Sequence, residues 1–282
     1  MCRTNNYNEP IQILMNAILG LIAFTLYLVS TLGLLLRLKG DGFFSQKPIA
    51  YILLPGFSAV ILHGAILYQS LLGANGFQFG FFDAASAVAM VISLLILLTS
   101  IIRRTEILAV VLLPISAIAL LTQSVSPSSY MLPYDAPQGL KIHVLVSIIA
   151  YSLLGLAACI SIALSLQNRM LHNHHPGGMM KKIPPLQVME KLLFDFILAG
   201  FIGLTLALIS GFVFLEDVFA QHLVHKTVLS IIAWLVFAIL LMGRFSFGWR
   251  GRTAIRWTLS GFVSLMLAYF GSKFVLEFIV LT

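Results

Sequence analysis

The sequence predicts an all-α polytopic membrane protein, a bundle of about eight transmembrane helices with both termini outside. Three observations carry that expectation. Of the 282 residues, 60% are apolar and 10% are charged, and the mean hydropathy is +1.01; a typical soluble domain carries about 25% charged residues. A soluble fold of this length could not bury so much apolar surface and still show water a mostly polar face. The apolar residues also fall in long unbroken runs, and a spanning helix needs roughly 20 such residues. Finally, the basic residues gather in alternate loops. A soluble enzyme and a disordered chain are both excluded. The net charge of +7 is a matter of topology, not of nucleic-acid binding.

Polar or Pro/Gly breaks divide the apolar runs into eight spans, at about 11–36, 49–72, 83–102, 106–124, 142–167, 191–215, 222–243 and 254–280. They form a single integral membrane domain over 1–282. The first follows the polar stretch MCRTNNYNEP and is too long for a signal-peptide core, so it reads as a retained helix. None of the runs alternates in polarity, which argues against strands, and in lipid the backbone must satisfy its own polar groups.

The loop after the first span holds Arg37, Lys39 and Lys47, and the loop after the third holds Arg103 and Arg104. Arg169, Lys181, Lys182 and Lys191 follow the fifth, and Arg244, Arg250, Arg252 and Arg256 follow the seventh. Of the 17 basic residues, only Arg3, Lys141, Lys226 and Lys273 lie elsewhere. Positive charge stays on the cytoplasmic side, so these four loops are inside and both termini outside. Asp83, Asp135, Glu216 and Asp217 fall in outer loops, in agreement.

Several chemistries are absent. Cys2 and Cys159 form no CxxC, which removes a dithiol redox pair, a CxxCH haem attachment and a thiolate zinc site. There is no GxxxxGK[ST] or GxGxxG turn for a nucleotide. The two halves show no repeat, and no Asp, Glu, Lys or Arg lies near a midplane, which disfavours a small-solute transporter or a proton pump.

The polar groups left inside the spans are the candidates. His63 is the histidine near a midplane; a neutral imidazole there either ligates haem iron or another metal, or hydrogen-bonds a neighbouring helix. On the fifth span His143, Ser147, Tyr151, Gly155 and Cys159 recur every four residues and so share a face. That face either packs tightly against another helix or lines an outward-opening cavity with His143 at its rim. The seventh span starts similarly, with His222, Lys226, Ser230 and Trp234 in register and His225 one turn from His222. Paired imidazoles at that spacing can share a ligand, but no third zinc ligand accompanies them. Gly203, Ala207 and Gly211 make a small-residue face for close helix packing, as do Ser260, Ser264, Ala268 and Ser272. The loop LHNHHPGGMMKK, with His172, His174, His175, Met179 and Met180, is either a solvated loop or a site for a soft cation.

HVLVSIIAYSLLGLAACISIAL (143–164), HKTVLSIIAWLVFAILLMGR (225–244), GWRG (248–251) and GFVSLMLAYFGS (261–272) together resemble the cytochrome c assembly family of the CcsA/ResC/HemX group. GFQFGFFDAASAVAMVI (76–92) is similar to its shorter, YpjD-like branch. The likeness runs through most of the chain from about residue 50. It implies haem handling at the outer face of a bacterial inner membrane, with His143 on the group's first external histidine. The group's Trp-rich segment falls on EDVFAQHLVHKT, which has no Trp; its second external histidine has no counterpart in VLEFIVLT, and Met242 stands at its intramembrane histidine. The resemblance thus implies a haem-binding or haem-associated accessory protein with no catalytic cycle of its own. His143, Ser147, Tyr151, His63, His222, His225 and Trp234 are its candidate haem-contacting residues. The alternative is a non-haem regulatory partner of another membrane protein, such as a divalent-cation transport system.

Overall fold

The computed structural model describes residues 8–40, 42–71, 77–78, 80–125, 131–132, 137–172, 184–214 and 221–271. The described residues are almost entirely helical: α1 (Asn8–Lys39), α2 (Gly42–Gln46), α3 (Ile49–Leu71), α4 (Phe81–Arg103), α5 (Glu106–Val125), α6 (Gln138–His172), α7 (Leu186–Phe214), α8 (Gln221–Phe247) and α9 (Arg252–Met266), the last running into a π-helical turn at Leu267–Gly271. Each of the first seven expected spans overlaps one of these helices. Seven of them are long and apolar enough to cross a membrane, and the fold is that of an all-α polytopic membrane protein. The eighth, α9 with its π turn, is described only as far as Gly271; the rest of the expected 254–280 lies outside the described residues.

Two small elements go beyond the expectation. The five-residue α2 is too short to show any periodicity. Arg37 at the end of α1 organises it, donating from Nη1 to the carbonyls of Phe44 (3.1 Å) and Lys47 (2.7 Å). The other is a two-residue antiparallel pair, β1 (Phe77–Gln78) and β2 (Met131–Leu132), with Phe77 opposite Leu132 and Gln78 opposite Met131.

The helices form two compact units. The first is built from α1 to α5 with the β pair. Its interior is apolar but threaded by buried hydroxyls, and Pro55 and Pro114 lie inside α3 and α5. Prolines are tolerated in such helices because neighbours re-satisfy the backbone groups they free. Near Pro55, which leaves the Tyr51 carbonyl without its helical donor, Ser30 of α1 donates to the adjacent Ile52 carbonyl (3.1 Å). At this junction Gly56 admits the Ser30 hydroxyl and Leu97; a Cβ would meet them at 2.9 and 3.0 Å.

The second unit contains α6 to α9. Its helices pack as a ring, α6 on α7, α7 on α8, α8 on α9 and α9 on α6. The expected small-residue face of α7 is the seam with α6. A Cβ on Gly200 would lie 2.7 Å from Leu154, one on Gly203 would lie 3.0 Å from the Ala150 Cβ, and one on Gly211 would lie 3.2 Å from the His143 ring. Glycine lets the two backbones approach this closely, where dispersion and interhelical hydrogen bonds supply the association that water would otherwise drive.

Candidate functional site

The predicted residues fall into two settings. In the first unit, His63 is fully buried on α3 with both ring nitrogens committed. Nδ1 bonds the Tyr27 hydroxyl of α1 at 3.1 Å and Nε2 bonds the Ser86 hydroxyl of α4 at 2.8 Å. A neutral imidazole has one donor and one acceptor, so two hydroxyls satisfy it completely. The Tyr27 ring meets it edge-on, with centroids 6.0 Å apart. Beside the Tyr27 hydroxyl lies that of Ser93, which donates to Ser116 of α5 at 2.6 Å; Ser116 in turn reaches the Ala89 carbonyl at 2.9 Å. Ser86, His63, Tyr27, Ser93 and Ser116 thereby join four helices through groups that lipid could not satisfy. Of the two roles open to His63, this is the helix-linking one, and it leaves no ring lone pair for iron.

In the second unit, His143 is half-buried on α6 and turned toward α7. Its Nδ1 lies 2.9 Å from Ser210 Oγ, and the ring rests on Gly211. The Ser210 hydroxyl also donates to the Ala207 carbonyl at 3.0 Å, and it has only one proton. With that proton spent on the carbonyl, Ser210 accepts from Nδ1–H. The imidazole also bonds the Ala207 backbone; in the tautomer with Nδ1 protonated, Nε2 carries the lone pair.

The rest of the expected stripe divides. Ser147 is half-buried one turn further along α6. Tyr151 turns to α9, where Phe262 and Phe270 pack on it, each with centroids at 5.4 Å; its hydroxyl is buried and unpartnered among the described residues. The face expected to line one cavity is thus shared between a helix seam and an aromatic cluster. Trp234 of α8 also meets α7, donating from Nε1 to Thr205 Oγ1 at 2.9 Å and stacking on Phe201 at 5.4 Å. His143 and Trp234 therefore engage the same helix, at positions about one and a half to three turns apart. The side chains of His222 and His225 lie outside the described residues, although both sit on α8. Of the His/Met loop only His172 is described, at the exposed end of α6. Among the described residues no group of three His, Cys, Asp or Glu could hold a metal ion.

The sequence reading missed the partners: Tyr27, Ser86, Ser93 and Ser116 around His63, Ser210 under His143, and Thr205 under Trp234. A signal for part of this was present. Ser86, Ser93 and Ser100 stand seven apart on α4, on one face, and all are buried.

Comparison with known proteins agrees with this architecture. Residues 51–280 match the family model described as cytochrome C assembly protein. The chain is 28% identical to the inner membrane protein YpjD of Escherichia coli K12 over 263 residues, which is 93% of this chain and 98% of that protein. It is 32% identical over 177 residues to an uncharacterized 28.8 kDa protein of Azospirillum brasilense, covering 62% of this chain and 65% of the other. It is 27% identical over 159 residues to the cytochrome c biogenesis protein CcsA of Chlamydomonas reinhardtii, covering 56% and 44%. No solved structure matches. The family match extends over both units and includes His63, His143 and Trp234, and the chain belongs to the cytochrome c assembly protein family.

Proposed function

We propose that this protein is a multi-pass inner-membrane accessory of cytochrome c assembly that binds or associates with haem through His143, at the membrane face where α6 begins, with no catalytic cycle of its own. The observation that carries the reading is the His143 imidazole. Serine and the Ala207 backbone of α7 hold the imidazole, glycine backs the ring, and in the Nδ1-protonated tautomer Nε2 offers a lone pair. Ligating imidazoles generally donate their second N–H to a neighbouring acceptor, which fixes tautomer and orientation. Ser210 supplies that acceptor. The His143 imidazole would therefore hold the iron of a bound haem, which would supply an iron centre whose reactivity its ligands tune. His63, spent on both nitrogens, contributes no ligand. Trp234 steadies α7 from the α8 side. The relative named for cytochrome c biogenesis supports a haem link, since such cytochromes carry haem, and the relative named as an inner membrane protein supports the location.

The basic loops put both termini, and with them the start of α6, on the outer face. A cysteine placed near Ser129 should react with an impermeant thiol reagent in intact cells, and one near Gly178 should not; the reverse pattern would overturn this orientation. The haem reading is tested by the absorption spectrum of protein purified after haem-replete expression. A Soret band should track the protein. His143→Ala should abolish it without lowering the yield, and Val144→Ala should retain it. A protein that never carries the band, or a His143→Ala variant that keeps it, would overturn the reading.

A further inference from the structure

The haem reading leaves unused the opposite end of the second unit, where α6 ends and α9 begins. An open cavity of about 580 Å³ lies there, lined by Asn168, Leu171 and His172 of α6 and by Gly251 and Arg252. On the orientation proposed above it opens at the inner membrane face. The chain reaches it through GWRG (248–251), a turn that the protein holds firmly. Gly248 and Gly251 take left-handed φ angles of 66° and 60°, which a Cβ disfavours. The Gly248 and Trp249 N–H groups donate to the carbonyls of Arg244 and Gly243 at 3.2 and 3.1 Å, and Arg244 Nη1 donates to the Trp249 carbonyl at 3.2 Å. The Trp249 ring packs on Gly243 and meets Trp257 with centroids 5.5 Å apart.

The arginines at this end divide by what they touch. Arg244 is spent on the turn and on the Phe194 ring, 4.5 Å away. Arg250, Arg252 and Arg256 are exposed and make no side-chain hydrogen bond or ion pair with the described residues. Arg252 lines the cavity, and Arg256 stands one turn further along the same face of α9. The local sequence does not neutralise them. Residues 168–191 and 244–256 hold eight Lys and Arg and one acidic residue, Glu190, whose Oε1 already accepts the Gly251 N–H at 2.9 Å. The link over 173–183, NHHPGGMMKKI, carries no carboxylate.

An anion therefore fits this cavity. Guanidinium groups bind phosphate oxygens in bidentate pairs, and the Asn168 amide adds a donor. α9 starts at the cavity's edge without a side-chain cap, and the positive end of its dipole acts in the same sense. Arg256, a turn deeper, reaches the same level by extending its side chain along the helix. The apolar neighbours say what carries the phosphate. Phe245 and Phe247, just before the turn, are each 75% exposed, and Leu171 in the cavity wall is 45% exposed. A free phosphate gains nothing from such a border, whereas a lipid lays its acyl chains against it. Basic pockets between helices at the cytoplasmic face take anionic headgroups in this way.

We propose that Arg252, Arg256 and Asn168 bind the phosphate of an anionic phospholipid between the end of α6 and the start of α9. The test follows the thermal unfolding midpoint of the full chain in detergent as phosphatidylglycerol or phosphatidylcholine is added, and in inorganic phosphate at matched ionic strength. Phosphatidylglycerol should raise the midpoint saturably over phosphatidylcholine, by roughly 2–4 °C, because a ligand that binds only the folded state stabilises it. Arg252→Gln combined with Arg256→Gln should lose that rise; both side chains are exposed, so the variant should fold. Lys39→Gln combined with Arg103→Gln, which removes the same charge from the first unit, should keep it. Asn168→Asp, which puts a carboxylate in the cavity, should need several-fold more lipid, and an unchanged requirement there decides against the proposal if the arginine variant does not fold. Equal midpoints in the two lipids would overturn the proposal. So would a full rise in the arginine variant, a rise that inorganic phosphate alone reproduces, or an equal loss in the Lys39 and Arg103 control.

Discussion

His63 and His143 are both imidazoles within apolar helices, and they differ in how the protein partners their ring nitrogens. His63 spends both, on hydroxyls brought by α1 and α4. His143 finds its partners on α7 alone, Ser210 and the Ala207 backbone, and leans its ring on a glycine. The first arrangement links helices, because every donor and acceptor finds its partner inside the protein and none is left for a ligand. The second holds the ring against α7 through Ser210 and the Ala207 backbone, and on the proposed reading the Nδ1-protonated tautomer leaves Nε2 a lone pair to offer. A membrane histidine is thus a site or a strut according to the polar inventory of its neighbours.

The largest expected effect tests the strut. His63→Ala removes a fully buried ring and strands the Tyr27 and Ser86 hydroxyls, and large-to-small core changes of this kind cost about 2–5 kcal/mol. Folded yield in detergent should fall sharply; a variant as stable as wild type would mean that the His63 network carries no load. Next comes the seam that positions His143. Gly203→Leu should cost about 1–3 kcal/mol by overpacking against Ala150, read as a lower unfolding midpoint. Gly211→Leu should cost about as much and should also displace the His143 ring, so it alone of the two should lose haem among molecules that still fold. Equal haem retention by both would separate the ring from the seam. The smallest stability effect belongs to Ser210→Ala. Interhelical hydrogen bonds in membranes average about 0.6 kcal/mol, so the fold should barely change. Outer partners of ligating histidines are nonetheless worth about 10–100-fold in affinity, so haem titration should weaken on that scale. A Ser210→Ala variant with unchanged haem affinity would show that the tautomer does not depend on this serine.

Much of the architecture was legible in the residues. The first seven apolar runs fall on long helices among the described residues, because a run of about 20 apolar residues has few other ways to satisfy its backbone in lipid. The Gly203, Ala207, Gly211 face was read correctly as a packing seam, since small residues at that spacing serve close approach. What was not legible was partnership. His143, Ser147 and Tyr151 share a stripe in one dimension, yet α6 meets α7 along one side and α9 along another, so the stripe is divided between two neighbours. Helical spacing says which residues share a face and nothing of what stands opposite.

The sequence by itself determined the class of the molecule, where its long apolar helices lie, and the small-residue surface on α7. Those follow from hydropathy, run length and side-chain volume, which are local properties. Tertiary structure alone decided that His63 is consumed by Tyr27 and Ser86 and that Ser210 lies under His143. Each of these joins residues on different helices. The physical reason is that a polar group in lipid is defined by its partner, and which partner it meets is set by helix rotation and register, which packing fixes and composition does not.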